Sequence, residues 1–492
     1  PPPPPLPTTP GEGSTSSESP IVESETVEMT KWLVLLLALL GATQGLRSVC
    51  YWNGKSFWRE GTAKVTTEEL RAALPHCTHL IYGFAAIDDD EYHIQPIDKK
   101  LDLDKGKGQW RAVTALKRSF PGLSIMLGLG GNEDEEDVDK YYQVLEKQER
   151  RTTLINSIQA ILKDFQFDGI DLAWQFPPQH EKYTSTSLSS IWHKVKKTVG
   201  IGVDSKAAEH RDQFTALVRE LKAVLRPDGK QLSIAVLPHV NSSVYFDVRQ
   251  LMPYVDMVNL WTVDYRTPER SPEKADYATP LTYVYPRIEH QNVESTVNYW
   301  LAKGAEPAKL QLGIATWGRT WKLNSDSGLS GVPPLVADGP GDKGPHTKKD
   351  GLLSYYETCV KLVSPTNPSA PSGMLRRMQD APGAHQGTYG FRLPDKNNDE
   401  GLWVSFEEPQ TAAQKAIYAK QKGLGGVAIL DLALDDSRGI CDGSAFPITK
   451  AAKSNADLGG PTPGSPIGDR YQTIVQPVKN WVANVTKPSW AV

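Results

Sequence analysis

The sequence predicts an α/β protein: a closed (β/α)8 TIM barrel with a small α+β domain inserted between strands seven and eight. Three observations predict it. Eight short apolar runs between residues 48 and 432 alternate with helical stretches. Such alternation makes a parallel sheet, because a parallel return needs a helix-sized crossover, and eight units close a barrel. The runs are apolar at nearly every position, as strands covered on both faces are. The rhythm then breaks over residues 322–411, a Gly- and Pro-rich stretch with strand-like pieces at 389–393 and 402–406, which reads as the inserted domain. An open doubly wound sheet is the alternative architecture.

The elements follow in order. Residues 48–52 are the first strand. Residues 66–73 are helical, with Thr66 as cap and Glu69 three residues on. Residues 79–84 form the second strand. A helix over 108–119 leads to the third strand, 123–129, which closes in Gly130-Gly131. A long helical stretch within 138–165 precedes the fourth strand, 169–174. A polar insertion without clear periodicity covers 178–209. Residues 210–225 are amphipathic, with Phe214, Leu217, Val218, Leu221, Val224 and Leu225 on one face. Arg226-Pro227-Asp228-Gly229 stops that helix. Strands five to eight are 232–237, 257–262, 310–316 and 427–432, with a helix at 293–302 between the sixth and seventh.

The chain has 492 residues, 39% apolar and 23% charged, in keeping with a soluble globular protein. A net charge of −4 and the lack of a long Lys/Arg block argue against a nucleic-acid partner. Ten scattered histidines offer no metal-ligand spacing, and no motif asks for a cofactor. Residues 1–28, a proline run followed by Ser, Thr, Glu and Pro, read as a disordered or translated-leader extension. Residues 29–45 read as a signal peptide: Met29, Lys31, an apolar run over 32–40, then Gly41, Ala42, Thr43 and Gly45. That run is too short to span a membrane, and no other segment is suited to it. The expected location is therefore extracellular. The barrel is expected over 46–455, with a Gly/Pro-rich C-terminal extension over 456–492.

Secretion gives meaning to two further features. Four cysteines, Cys50, Cys77, Cys359 and Cys441, point to disulfides in one of three connectivities. The sequons at Asn241 and Asn484 are expected glycosylation sites where exposed.

The most informative stretch is 165–177, with Asp168 and Asp171 interrupting an apolar strand. Buried acids need partners, because an unpaired buried charge is costly. In a barrel of this kind chemistry sits at the C-terminal strand ends. Several strand ends here resemble those of the family-18 glycoside hydrolases, the chitinase family. They are Cys50-Tyr51-Trp52, the segment 77–85, Gly128-Leu129-Gly130-Gly131, Asp168-Gly169-Ile170-Asp171, the segment 312–319, and Gly425-Gly426-Val427-Ala428-Ile429-Leu430. The ordered set runs from about residue 47 to residue 453. A narrower resemblance, to the insect chitinase-like proteins called imaginal disc growth factors, rests on the segment 171–177, Trp192-His193-Lys194, and the segments 210–222, 267–273 and 389–395.

The resemblance implies a substrate-assisted hydrolysis site, and four positions depart from it. The proton donor's position holds Gln175, which cannot deliver a proton by that route. Ala173 stands where a tuning aspartate is expected, Val263 where a tyrosine is, and Leu430 where a tryptophan is. The expectation is a non-catalytic protein with a degenerate site at Asp168, Asp171, Ala173 and Gln175. Both acids would then be structural, hydrogen-bonded in the barrel interior. Asp264 and Arg319 resemble cleft residues and would either pair or touch a sugar. Tyr51, Phe84, Trp174 and Trp261 are candidates for a glycan-binding mouth, with barrel core as the competing role. The resemblance also implies the pairs Cys50–Cys77 and Cys359–Cys441. The functional expectation is a secreted, growth-factor-like protein acting through an extracellular partner. A chitin- or glycan-binding lectin is the alternative, and a residual chitinase the third reading.

Overall fold

The computed structural model describes residues 46–134, 138–176, 204–362, 374–379, 386–395 and 400–456, with Pro1, Pro2 and Pro4. The signal-peptide reading, most of the 178–209 insertion, the tail from 457 onward and the Asn484 sequon lie outside the described residues.

Sixteen strands are numbered in chain order: β1 Arg47–Asn53, β2 His79–Ile87, β3 Ile94–Pro96, β4 Ser124–Gly130, β5 Gly169–Ala173, β6 Gln231–Val236, β7 Met257–Leu260, β8 Lys274–Ala275, β9 Leu310–Ala315, β10 Trp317–Leu323, β11 Leu335–Val336, β12 Leu352–Ser354, β13 Arg376–Gln379, β14 Thr388–Arg392, β15 Gly401–Phe406 and β16 Gly426–Leu430. Eight of them, β1, β2, β4, β5, β6, β7, β9 and β16, pair in parallel, and β1 closes the ring by bonding both β16 and β2. This is the closed barrel that the alternation of apolar runs predicts. All but the first residues of these strands are buried nearly throughout, as two covered faces require.

The helices differ in detail from the expected ones. The 138–165 stretch is two helices, Asp139–Glu146 and Gln148–Asp164, broken at Lys147. The 66–73 stretch is one turn of helix, Thr67–Leu70, closed at its start by a Thr66–Glu69 capping box. The amphipathic helix runs from Ala207 to Leu225 and buries Phe214, Leu217, Val218, Leu221 and Leu225 against the barrel.

The seventh apolar run divides. β9 ends at Ala315, and β10 leaves the barrel at Trp317 to enter a second, five-stranded sheet of order β12-β10-β15-β14-β13. The second sheet therefore begins before residue 322. At the branch, Thr316 donates both its backbone N–H and its hydroxyl to the Leu430 carbonyl, 2.8 and 3.0 Å away. The sheet has its own core, in which Trp321 meets Trp403 edge-on and Tyr389 stacks on Trp403. Helices Pro409–Gln421 and Pro447–Ala456, which the apolar pattern did not mark, return the chain around β16.

Two disulfides are formed, Cys50–Cys77 and Cys359–Cys441. The first ties β1 to the start of β2. The second ties the helix Tyr355–Cys359 of the inserted region to the segment after β16. Among the described residues no helix is long and apolar enough to cross a membrane.

Candidate functional site

The strands β1, β5, β6 and β7 converge on one polar point in an apolar barrel. Asp171, in the middle of β5, is fully buried. Its carboxylate accepts hydrogen bonds from the Tyr51 hydroxyl at 2.8 Å, the Ser233 hydroxyl at 2.5 Å and the Asn259 amide at 3.0 Å. Burial pushes the carboxyl above its ordinary value, against those three hydrogen bonds. Burial and the nearby Asp171 charge likewise push the Tyr51 hydroxyl well up. All three of these donors come from neighbouring barrel strands, so this acid is an anchor joining β1, β5, β6 and β7.

Above the anchor, aromatic rings fill the mouth. Tyr51 meets Trp261 edge-on at 5.3 Å between ring centroids, and Phe84 lies 6.4 Å from Tyr51 and 6.2 Å from Trp261. Trp261 is 6% exposed and Tyr51 2%. These candidates for a glycan-gripping surface therefore pack on one another. The Phe84 ring lies so close to Gly131 that a Cβ there would come within 2.7 Å of it. Gly131 also holds φ +62° and Gly130 φ +92°, which favour glycine.

Gln175 lies just past the end of β5 and is 1% exposed. Its amide N–H donates to the Gly131 carbonyl. Ala173, Val263 and Leu430 are buried apolar side chains around the same strand ends. The residues that the resemblance places in a proton-transfer site thus bring together one acid with all its partners internal, one amide bonded to backbone, and three aliphatic groups.

Four expected site residues, Asp168, Trp174, Asp264 and Arg319, lie elsewhere or are engaged. Asp168 is not in the barrel interior. It precedes β5 at the opposite end of the strand, partly exposed, where Lys117 contacts it at 2.7 Å and the Ile125 N–H donates to it at 2.8 Å. At roughly 3.3 Å rise per residue it stands about 20 Å from Gln175 along the strand, so the two share no site. Trp174 is fully buried but faces the helices, edge-on to Tyr141 at 4.9 Å and near Phe214 at 5.8 Å. Period-two alternation explains this: neighbours on a strand point to opposite faces. Asp264 and Arg319 pair with each other, through Nε at 2.8 Å and Nη2 at 2.6 Å, and the Trp317 indole donates to Asp264 at 3.1 Å. Burial works to raise the Asp264 carboxyl, but the Arg319 charge and these hydrogen bonds outweigh it, and the net direction is down. Asn241 caps the turn Ser242–Tyr245, its side-chain oxygen accepting from the Ser243 N–H at 2.9 Å.

A small cavity beside the mouth is lined by Asn53, Lys55, Tyr82, Phe84, Asp102 and Glu133 among others. Glu133 accepts from Asn53 at 2.6 Å and from Lys55 at 2.7 Å. Asp102 is buried beneath Tyr82, whose hydroxyl donates to it. Burial pushes Asp102 up to about 7 from an ordinary 3.8, against that hydrogen bond. Between those values the folded chain holds a proton that the unfolded chain has released. This group's contribution is therefore complete below pH 3.8 and is lost as pH rises through about 7. His79 and His239, each lowered to about 4 chiefly by burial, act in the opposite sense between about 4 and 6.5 and mask the trend. Asp102→Asn keeps an acceptor for Tyr82 and removes the titration. Its stability relative to the parent is expected to rise steadily from pH 4 to pH 7, read as urea midpoints at several pH values. A constant gap over that range would show that Asp102 titrates normally.

Ser233, Asn259 and Asp102 escaped the reading of the sequence. For the first two a signal exists: each is a polar residue inside an otherwise apolar barrel strand, as Asp171 is. Asp102 carries no such mark, because it lies in a short helix whose neighbours are charged.

The model of the glycosyl hydrolases family 18 matches residues 47–435. Bacteria-responsive protein 1 of Aedes aegypti is 44% identical over 429 residues, covering 86% of this chain and 97% of its own. Chitinase-like protein Idgf4 of Drosophila melanogaster is 44% identical over 428 residues, covering 85% of this chain and 97% of its own. Among solved structures, a mutant of the Ostrinia furnacalis Group II chitinase catalytic domain 2 in complex with (NAG)5 has a TM-score of 0.69 at 28% identity. That likeness covers 84% of this chain and 96% of the other. A match across the whole barrel, on strand ends in the same order, leads to one conclusion: this chain belongs to the glycosyl hydrolases family 18.

Proposed function

We propose that this protein is a secreted, non-catalytic chitinase-like protein that acts through an extracellular partner, promoting cell proliferation or the repair of cuticle and wounds. One observation carries the non-catalytic part. The residue at the proton donor's position is Gln175, an amide that carries no acidic proton, and its N–H is bonded to the Gly131 carbonyl. Ala173, Val263 and Leu430 support it, since none can hold or tune a reacting group. The similarity to Drosophila melanogaster Idgf4, named chitinase-like, agrees with it. The growth-factor role rests on that likeness. The extracellular location rests on it too, with two disulfides and the pattern over 29–45 as further support.

A lectin is the second reading, and the (NAG)5 complex of the Ostrinia furnacalis domain favours it. Against it stands the mutual packing of Tyr51, Phe84 and Trp261, which leaves no free aromatic face between them for a sugar to stack on. Calorimetric titration of the purified full chain with N-acetylglucosamine oligomers decides between the two. The expected result is no saturable binding in the barrel mouth. Saturable binding that Trp261→Ala weakens would make the lectin reading primary.

A further inference from the structure

Opposite the mouth, on the N-terminal face of the barrel, lies a cavity of about 280 Å³. Three lysines from three separate elements line it: Lys117 ahead of β4, Lys163 near the end of the helix Gln148–Asp164, and Lys230 just before β6. Two are held in place by main-chain carbonyls. Lys117 donates to the Gln166 carbonyl at 2.6 Å and to Asp168 at 2.7 Å, and Lys230 donates to the Phe167 carbonyl at 2.6 Å. An ammonium has three donor hydrogens, so each keeps at least one unused by these contacts. The Lys163 side chain has no hydrogen bond or ion pair among the described residues. Leu162 and Leu225 supply apolar lining. The acid in the lining, Asp228, accepts from Gln159 at 3.1 Å at the edge.

We propose that this groove binds an oxyanion carried on a ring-sized body, a sulfate or phosphate ester. The physical case has three parts. Three lysines face two carboxylates, Asp168 paired with Lys117 and Asp228 at the edge, so the groove keeps a net positive charge that an anion offsets. Lys117 and Lys230 are already positioned by backbone contacts, so little side-chain freedom is lost on binding. Leu162 and Leu225 are buried beneath the groove and form its floor, and the apolar stems of the lysines give the ligand's body its contact. The proposal is independent of the sugar cleft, from which β5 separates it.

The test uses isothermal titration calorimetry of the full chain with glucose 6-sulfate, glucose 6-phosphate and uncharged glucose at one ionic strength. Saturable binding of at least one charged sugar and none of glucose is expected, weakening as sodium chloride is added. Whichever ester binds more tightly names the natural source of the anion. Lys163→Glu reverses an exposed charge with no partner to lose, and is expected to weaken binding about tenfold or more. Lys163→Gln is expected to fall between the two, and an unchanged urea midpoint in both variants shows the fold intact. Failure of both charged sugars to bind, equal binding of glucose, or undiminished affinity in Lys163→Glu would overturn the assignment.

Discussion

Gln175→Glu is expected to leave chitooligosaccharide turnover at the level of the parent protein, at background. A general acid alone is worth about 10²–10⁴ in rate, so a site lacking only its acid would recover conspicuously. Here the acid would enter a position already bonded to the Gly131 carbonyl. A carboxylic acid there keeps its proton on that carbonyl, and a carboxylate is repelled by it. Nor is a second acid free to set its pKa. Position 173 is Ala, and Asp171 is occupied by Tyr51, Ser233 and Asn259. Val263 offers no hydroxyl to hold a reacting acetamide. The measurement is release of reducing ends from N-acetylglucosamine oligomers by parent and variant. Near-enzyme rates from this single change would show that the site had lost one residue and nothing else.

Asp171→Ala is expected to destabilise the fold by on the order of 5 kcal/mol, because it strands three buried donors at roughly 1–3 kcal/mol each. Against a typical total of about 5–15 kcal/mol, that threatens folding and secretion outright. Asp171→Asn is expected to be milder, since one oxygen still accepts and the Tyr51 and Ser233 hydroxyls can turn. Urea unfolding of the three proteins gives the order parent, Asn, Ala. An Ala variant within about 1 kcal/mol of the parent would mean that the donors find other partners, and that this carboxylate is not the anchor of the barrel interior.

Much of this was legible in the chain. Strands buried on both faces need apolar residues at successive positions, so β1, β2, β4, β5, β6, β7, β9 and β16 all left local marks. The helix Ala207–Leu225 did so through its spacing. Gln175, Ala173, Val263 and Leu430 stood out because each occupies a fixed place in an ordered set of motifs. The strands β3, β8, β11, β12 and β13 are two to four residues long and left almost none. Segments that short carry too little periodicity to separate from loop.

What the sequence by itself determined is the barrel, its inserted sheet, and which residue types stand at the strand ends. Those depend on patterns within short windows. What only the tertiary structure decided is which groups meet. Residues far apart in the chain, Tyr51, Asp171, Ser233 and Asn259, form one hydrogen-bonded anchor. Asp168 and Trp174, close to Asp171 in sequence, are carried to the far end and the outer face of the same strand. Asp264 and Arg319 neutralise each other, and Tyr51, Phe84 and Trp261 close on themselves. The physical reason is that a hydrogen bond or a ring contact acts over a few ångströms in space, and the closure of the barrel, with the second sheet that leaves it, sets which side chains come within that reach.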